Sequence, residues 1–404
     1  MKQMFFAICL LLMIGAGPAT HQVEYHIYAG NTHSHTAYTW SHGDQWEKPA
    51  PGEKKGGLEH DENGAQRPPA GRKLKPDWQK FQGPPAEHFK LAKSDGYDFY
   101  ITTDHSQEAD LQPPSPTNEK WLDTKKAALD ATDSNFVAIA GYEHSENNGP
   151  NGTGHLNVIN SESYLNALAP GVDLKKLYAW LKTAKPNGDG PIVVSFNHPG
   201  VHQYNDWAYR DDEITDIITM LEVINSNNKI HYDAFVAALD HGWKVSPVCG
   251  NDNHGLWGIT HQKSRTFVLA TERTKVEILD AMKHRRTYAS LDTNIQCRYS
   301  VNGRIMGSTL NRPEELTFDI SINDPDTTNP KDKITKIDIV KDGGAIAETF
   351  TPPEPSYAVE WKPVLKDSAS KYFFIRVWNA GGGDAPGADA NTPVAWLAPV
   401  WTGR

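Results

Sequence analysis

Short apolar runs that end, one after another, in histidine or carboxylate residues most constrain the fold of this chain. The runs cover residues 24–29, 97–102, 136–140, 156–159, 192–196, 220–224, 245–249 and 266–269. Between them lie amphipathic stretches at 86–93, 120–131, 174–185, 232–239 and 275–283. Strand and helix signals in alternation predict βαβ crossovers and a mainly parallel sheet. Seven or eight such units predict a barrel closed on itself, with a doubly wound open sheet as the structural alternative.

The residues at the end of each run give the pattern its chemistry. The first run leads into Asn31-Thr32-His33-Ser34-His35-Thr36, the second ends in Thr103-Asp104-His105, and the third in Gly141-Tyr142-Glu143-His144. A Gly-Thr-Gly turn then presents His155, Asn197-His198-Pro199-Gly200 closes the fifth run, and Gly250-Asn251-Asp252-Asn253-His254 closes the seventh. In a β/α barrel the C-terminal strand ends converge on one face, so these distant clusters are expected to meet in a single bowl. Each cluster alone has an ordinary structural reading: a capping Asp104, a satisfied His155 or His198. Residues two apart in extended chain share a side, so His33 with His35, and Asp252 with His254, can each grip one ion. Glu143, at the end of an apolar run, needs a cation or donor beside it. Imidazole and carboxylate together suit Zn, Mn or Fe better than an all-oxygen Ca or Mg site.

The remainder of the chain sets the boundaries. Residues 1–19 read as a signal peptide: a basic Lys2, an apolar core and small residues Gly17-Pro18-Ala19, the core being too short for a membrane span. Export to the periplasm or the extracellular space is the expectation. Residues 20–293 form the expected barrel domain, with an inserted loop at 43–85, rich in Gly, Pro, Lys and Glu, that serves as a lid or simply moves. Beyond residue 294 the signal changes to strands alone. Leu316, Phe318, Ile320 and Ile322 alternate with polar residues, and 337–340 runs into an Asp342-Gly343 turn, which predicts a small antiparallel β-sandwich over 294–404. Its tryptophans are expected in the core rather than on a ligand platform. Cys9 falls in the signal segment; Cys249 and Cys297 are expected as buried thiols, one bridge between them being the alternative. A net charge of -10 argues against a nucleic-acid backbone as partner but leaves a small anionic substrate open, because bound metal supplies local positive charge.

The ligand clusters, in this order, resemble the polymerase-and-histidinol-phosphatase (PHP) family over about residues 24–288. The resemblance implies an α/β fold, a distorted (β/α)7 barrel of the PHP type, with two or three divalent metal ions. By motif matching, His33, His35, Glu143 and Asp252 hold the first ion. Glu143 bridges to a second completed by His155 and His198, while His105 and His254 hold a third. Two departures stand out: Ser41 occupies the place of a further family histidine, with His42 next to it, and the family's opening Asp-Leu-His is here Asn31-Thr32-His33. Segments 221–225 and 286–290, with the signal peptide and C-terminal sandwich, are similar to a secreted branch that includes carbamate-ester hydrolases. That branch shows that the substrate need not be a phosphate ester, but the first expectation is a phosphoesterase acting on a phosphomonoester or small phosphodiester with a metal-activated hydroxide as nucleophile. A carboxyl or carbamate ester or amide hydrolase with the same ions, and a non-catalytic binding protein, are the alternatives. In that scheme Glu143 is the catalytic bridging ligand, His42 or His254 protonates the leaving oxygen, and Asp104 supports from behind. Glu222 lines the pocket, and Arg265, Arg285 and Arg286 contact an anionic substrate.

Overall fold

The computed structural model describes residues 23–39, 46–47, 59–67, 73–146, 154–387 and 389–404. Residues 1–19, read above as a signal peptide, His42 and much of the 43–85 insertion lie outside the described residues. The main strands of the first part, among the described residues, are β1 His26–Asn31, β2 Phe99–His105, β3 Val137–Glu146, β4 Gly154–Ile159, β5 Val193–Asn197, β6 Ile218–Asn225, β7 Ser246–Cys249, β8 Arg265–Ala270 and β9 Thr287–Ser290. Between or beside them run α1 Pro85–Ser94, α2 Glu119–Ala131, α3 Leu174–Leu181, α4 Tyr232–Asp240 and α5 Lys275–Lys283. Asn118, Asp173 and Thr274 start α2, α3 and α5 by accepting backbone N–H bonds that the first turn leaves unpaired.

Strands β7 to β1 lie side by side in chain order, 7-6-5-4-3-2-1, and β8 continues from β1. The pairs β1/β2, β2/β3, β5/β6 and β6/β7 are parallel, whereas β4 is antiparallel to both neighbours. The eighth run also corrects the expectation of a parallel unit, since β8 is antiparallel to β1 and to β9. Strands β2 and β6 are buried along their whole length, as expected where both faces of a sheet are covered.

One face of the sheet carries its own apolar core. Phe99, Ile101, Val137, Ile139, Ile159, Val193, Met220, Val248 and Val268 form one buried cluster, joined by Ile278, Leu279 and Met282 of α5, which stops its lower end. The other faces of these strands pack against the surrounding helices in the larger core. Among the described residues no backbone ladder joins β7 to β8 or β9; between them Thr287 Oγ1 donates to Ser246 Oγ and Cys249 N to Thr266 Oγ1. At the mouth, Asp252 N bonds His33 O and His35 N bonds Asn253 O, which ties the first strand's extension to the loop after the seventh.

The insertion, expected as irregular loop, carries a two-stranded pairing of Glu59–His60 with Gln66–Arg67 and a helical turn Gln79–Gln82. That turn belongs to the mouth: Gln82 Nε2 donates to Thr36 O, and Leu256 N to Phe81 O.

The C-terminal part contains β10 Gln296–Val301, β11 Glu315–Asn323, β12 Ile334–Lys341, β13 Ala345–Phe350, β14 Ala358–Trp361, β15 Tyr372–Asn379 and β16 Ala395–Leu397. The two antiparallel sheets are not free-standing. One, in the order β16-β15-β12-β13, continues the barrel sheet because β16 pairs with β9; the other contains β10, β11 and β14. Leu316, Phe318, Ile320 and Ile322 point inward from β11, and Trp396 and Trp401 are buried. Cys249 and Cys297 are both free and buried. No helix among the described residues is long and apolar enough to cross a membrane.

Candidate metal centre

Side chains two apart in a strand share a face, and here that rule carries the barrel interior from an apolar floor to a polar mouth. Ile101 leads to Thr103 and His105, Ile139 to Gly141 and Glu143, Val193 to Ser195 and Asn197, Met220 to Glu222, and Val248 to Gly250. Strand β4 runs against the others and therefore begins at the mouth, where His155 pairs with Ser145 on one side and Asn197 on the other. Two of the predicted ligands sit just past strand ends in left-handed backbone, His198 with φ 30° and Asp252 with φ 46°. Such strain costs of order 1–3 kcal/mol per residue and persists where the surroundings dictate it.

All eight predicted ligands meet. One donor atom each from His33, His35 and Glu143 lie within 4.8 Å of one another; the same holds for Glu143, His155 and His198, and for His35, His105 and His254. The three groups overlap, Glu143 belonging to two and His35 to two. Glu143 is surrounded by imidazoles: His105 Nε2 at 3.1 Å, His155 Nδ1 at 3.2 Å, His33 Nε2 and His198 Nε2 at 3.4 Å, and His35 Nε2 at 3.8 Å. Asp252 Oδ1 lies 3.0 Å from His35 Nε2 and 3.5 Å from His33 Nε2. His254 stacks on His35 with ring centroids 4.1 Å apart.

The electrostatics of this cluster are divided. Burial opposes charge on every member. At Glu143 the charges of His155 and His33 and the hydrogen bonds from His105 and His155 overcome burial and hold the carboxyl well below its usual range. At His33 burial is outweighed by Glu222, Asp252 and Glu143, which hold the imidazole well above its usual range; Glu108 and Glu143 do the same for His105, which rises to about 10. At His35 burial and repulsion from His254 and His105 hold the ring well below it, and at His254 burial takes the value down to about 4. Of the five imidazoles around Glu143, His35 and His155 are held by burial below the usual range and present lone pairs, whereas carboxylates hold His33, His105 and His198 above it. Lone pairs of neutral imidazole and buried carboxylate oxygens are the donors a divalent metal takes, so the residues fit the ions the sequence implies.

Behind the candidate ligands stands a layer of fixed partners of the kind that orients metal-binding side chains. His33 Nδ1 lies 2.7 Å from Glu222 Oε1, and Glu222 Oε2 accepts from His198 N at 2.7 Å and Asn225 Nδ2 at 2.8 Å. Glu222 is therefore a positioning residue for His33 and not the pocket lining expected. His105 Nδ1 faces Glu108 Oε1 at 3.3 Å, and Asn197 Nδ2 donates to Glu143 Oε1 at 2.9 Å. Neither Glu108 nor Asn197 stands out in the sequence as a site residue; each sits beside a candidate ligand, three residues after His105 and directly before His198. Asn31, where the family has aspartate, joins two loops by donating to His33 O and accepting from Asn251 N.

Other candidates stand apart. Asp104 spends both oxygens on the mouth loop, taking Thr36 N at 2.7 Å, Thr36 Oγ1 at 2.8 Å and Thr39 Oγ1 at 2.8 Å; burial lifts it to about 6. It shapes the loop that carries His35. Arg265 lies flat on Tyr97, its guanidinium carbon 3.7 Å from the ring centroid, and donates to Gln262 O, Ser264 O and Asp95. Arg285 donates to Lys244 O and Thr215 O, and Arg286 to Leu269 O and Asp280; both precede β9, at the floor end of the barrel. The expected arginine contacts to substrate are thus corrected: these guanidiniums donate to backbone carbonyls and local carboxylates, and none belongs to the clustered donor groups. His42 lies outside the described residues.

Among solved structures the chain is similar to a crystal structure described as a two-domain protein containing a predicted PHP-like metal-dependent phosphoesterase from Bacteroides vulgatus, with 18% sequence identity over 95% of this chain and 100% of that one and a TM-score of 0.44. No family model and no curated protein matches the chain. The histidine and glutamate clusters fit the ligand pattern on which the PHP resemblance rests.

Proposed function

We propose that this chain is a metal-dependent hydrolase of the PHP type that cleaves a phosphomonoester or a small phosphodiester. The observation that carries the reading is the overlap of three donor groups through Glu143 and His35 in one buried mouth. Overlapping groups hold neighbouring ions, and neighbouring ions are the arrangement used to clamp both sides of an ester displacement. Two or three divalent ions, zinc, manganese or iron, fit the donors. When bound, such ions supply Lewis acidity and make water acidic enough to attack near neutral pH.

The chain's own residues do the rest. Glu222 and Glu108 fix the rings of His33 and His105 and select the tautomer that leaves the inner nitrogen facing the mouth. Asn197 holds Glu143 in place. His254, kept neutral by burial, suits a ligand better than a proton donor, which leaves the leaving-group proton to His42 or to solvent. A cavity of about 460 Å³ opens beside His198, lined by Pro199, Val201, Gln203, Lys229, His231 and Tyr232 among others. Its size suits a small molecule, and Lys229 offers a cation to an anionic one.

One observation favours a second reading, hydrolysis of carboxyl or carbamate esters or amides. None of the three arginines expected to bind phosphate faces the cluster, and the cavity beside His198 is walled by Pro199, Val201, Ile230 and Tyr232. A panel of chromogenic phosphate monoesters, phosphate diesters and carboxyl esters, offered to stripped protein with Mn²⁺ or Zn²⁺ added back, decides between them. Turnover of phosphate esters supports the proposal, turnover of carboxyl esters alone replaces it with the second reading, and no turnover at full metal occupancy leaves a binding protein. Export, proposed on residues 1–19, is tested by N-terminal sequencing of the protein recovered from its producing cells.

A further inference from the structure

Three aspartates outside the histidine–glutamate cluster form a second, chemically different group. Asp292 follows β9 at the exit of the barrel, Asp324 follows β11, and Asp332 ends the helical turn Pro330–Asp332 that leads into β12. They are 1%, 0% and 4% exposed, and one carboxylate oxygen of each lies within 4.8 Å of the others. The side chains are anchored on one side: Asp292 Oδ1 accepts from Asn294 N and Ile295 N, both at 2.9 Å, and Asp324 Oδ1 from Asp326 N at 2.9 Å. Asp324 Oδ2 is buried and has no hydrogen-bond partner.

The surroundings do not neutralise this charge. The charges acting on Asp324 are those of Asp292, Asp332 and Asp384, and those acting on Asp292 are Asp384 and Asp332. Asp332 alone also feels a cation, Lys331, together with Asp384 and Asp326. Asp384 sits at the exposed rim, held by Thr293. Burial and mutual repulsion push Asp324 up to about 7 and Asp292 up to about 6. Convergent buried carboxylates with a spare, unbonded oxygen need a cation or a shared proton. Oxygen is the only donor type in the cluster, with no imidazole or thiolate, and that selects a hard ion such as calcium over zinc.

We propose that Asp292, Asp324 and Asp332, with Asp384 at the rim, bind one calcium ion that ties the barrel exit to both C-terminal sheets. The site bridges segments that are distant in sequence: the chain leaving β9, the end of β11 and the entry to β12. Its occupancy is independent of the ions at the mouth.

Calcium chloride, with magnesium chloride as comparison, titrated calorimetrically into full-length protein already saturated with Zn²⁺ or Mn²⁺ tests this. The expected result is about one calcium per chain, with a melting temperature that climbs roughly 1–2 °C per tenfold rise in calcium above the dissociation constant. Asp324→Asn and, separately, Asp332→Asn should abolish calcium uptake while zinc or manganese content stays at the wild-type level. No calcium uptake by the wild type overturns the proposal and leaves a proton-sharing carboxyl cluster. Uptake that survives both substitutions overturns it too, since the ion then lies elsewhere. Should Asp324→Asn fail to fold, the wild-type stoichiometry and Asp332→Asn still decide.

Discussion

Replacing Gly250 with alanine would put a methyl group where the support of the metal centre already stands. A Cβ built there lies 1.9 Å from Glu222 Oε1, 2.6 Å from Glu222 Cδ and 2.7 Å from His33 Cβ. Ordinary contact begins near 3.4 Å, so the carboxylate would have to retreat by about 1.5 Å. It has nowhere to go without loss, because His33 Nδ1, His198 N and Asn225 Nδ2 hold it at 2.7, 2.7 and 2.8 Å. A displacement of that size breaks at least one charge-assisted buried hydrogen bond, about 1.5–3 kcal/mol, and adds overpacking strain of about 1–3 kcal/mol. Freed from Glu222, His33 loses its fixed ring orientation, and loss of such a partner typically lowers metal affinity about 10–100-fold. The assay is metal content at buffered free Zn²⁺, with ester turnover and a thermal melt on the same samples. Gly96→Ala serves as the control: its φ of 82° makes alanine strained, but nothing lies within 4 Å, so it should lower stability and spare the metal. If Gly250→Ala kept both affinity and turnover within about twofold of wild type, the role given to Glu222 would be refuted.

The same geometry sets three further outcomes. Glu143→Ala should abolish turnover and cut metal content, because two donor groups lose their common carboxylate; full activity in that variant would end the bridging assignment. Arg286→Ala should lower the melting temperature, by a stability loss of about 1–3 kcal/mol, and leave KM untouched, since its donors go to Leu269 O and Asp280; a raised KM with unchanged melting would return it to the substrate. Lys229→Ala should raise KM for an anionic ester several-fold while a neutral ester is turned over as before; equal effects on both would remove Lys229 from substrate binding.

How much of the site is legible in the sequence depends on what periodicity encodes. Alternation in 315–323 marks which side chains are buried, and β11 buries those four. Strand ends followed by ligands place His33, His105, Glu143 and Asp252 at a common mouth because residues two apart share a face, whichever neighbour each strand takes. Periodicity is silent on direction. The runs that became β4 and β8 look like their parallel neighbours, and only long-range pairing decides that they run the other way. The same blindness hid the fusion of β16 to β9, an antiparallel pairing of residues more than a hundred positions apart.

The errors over charged residues have another origin. An arginine in sequence shows a cation but not its counterparts, and Arg265, Arg285 and Arg286 are satisfied by carbonyls that no local pattern announces. Glu222 carried a clearer signal. A lone carboxylate inside the fully buried strand Ile-Thr-Met-Leu-Glu-Val-Ile-Asn is costly unless a buried cation or donor faces it, and the partners it finds, His33, His198 N and Asn225, stand at the mouth. Gly250 is its complement, a residue without a side chain at the point where that carboxylate and His33 need the space. Taken as a pair, a buried glutamate in one strand and a glycine at the end of the next mark the wall behind a metal ligand, just as ligands at strand ends mark its front.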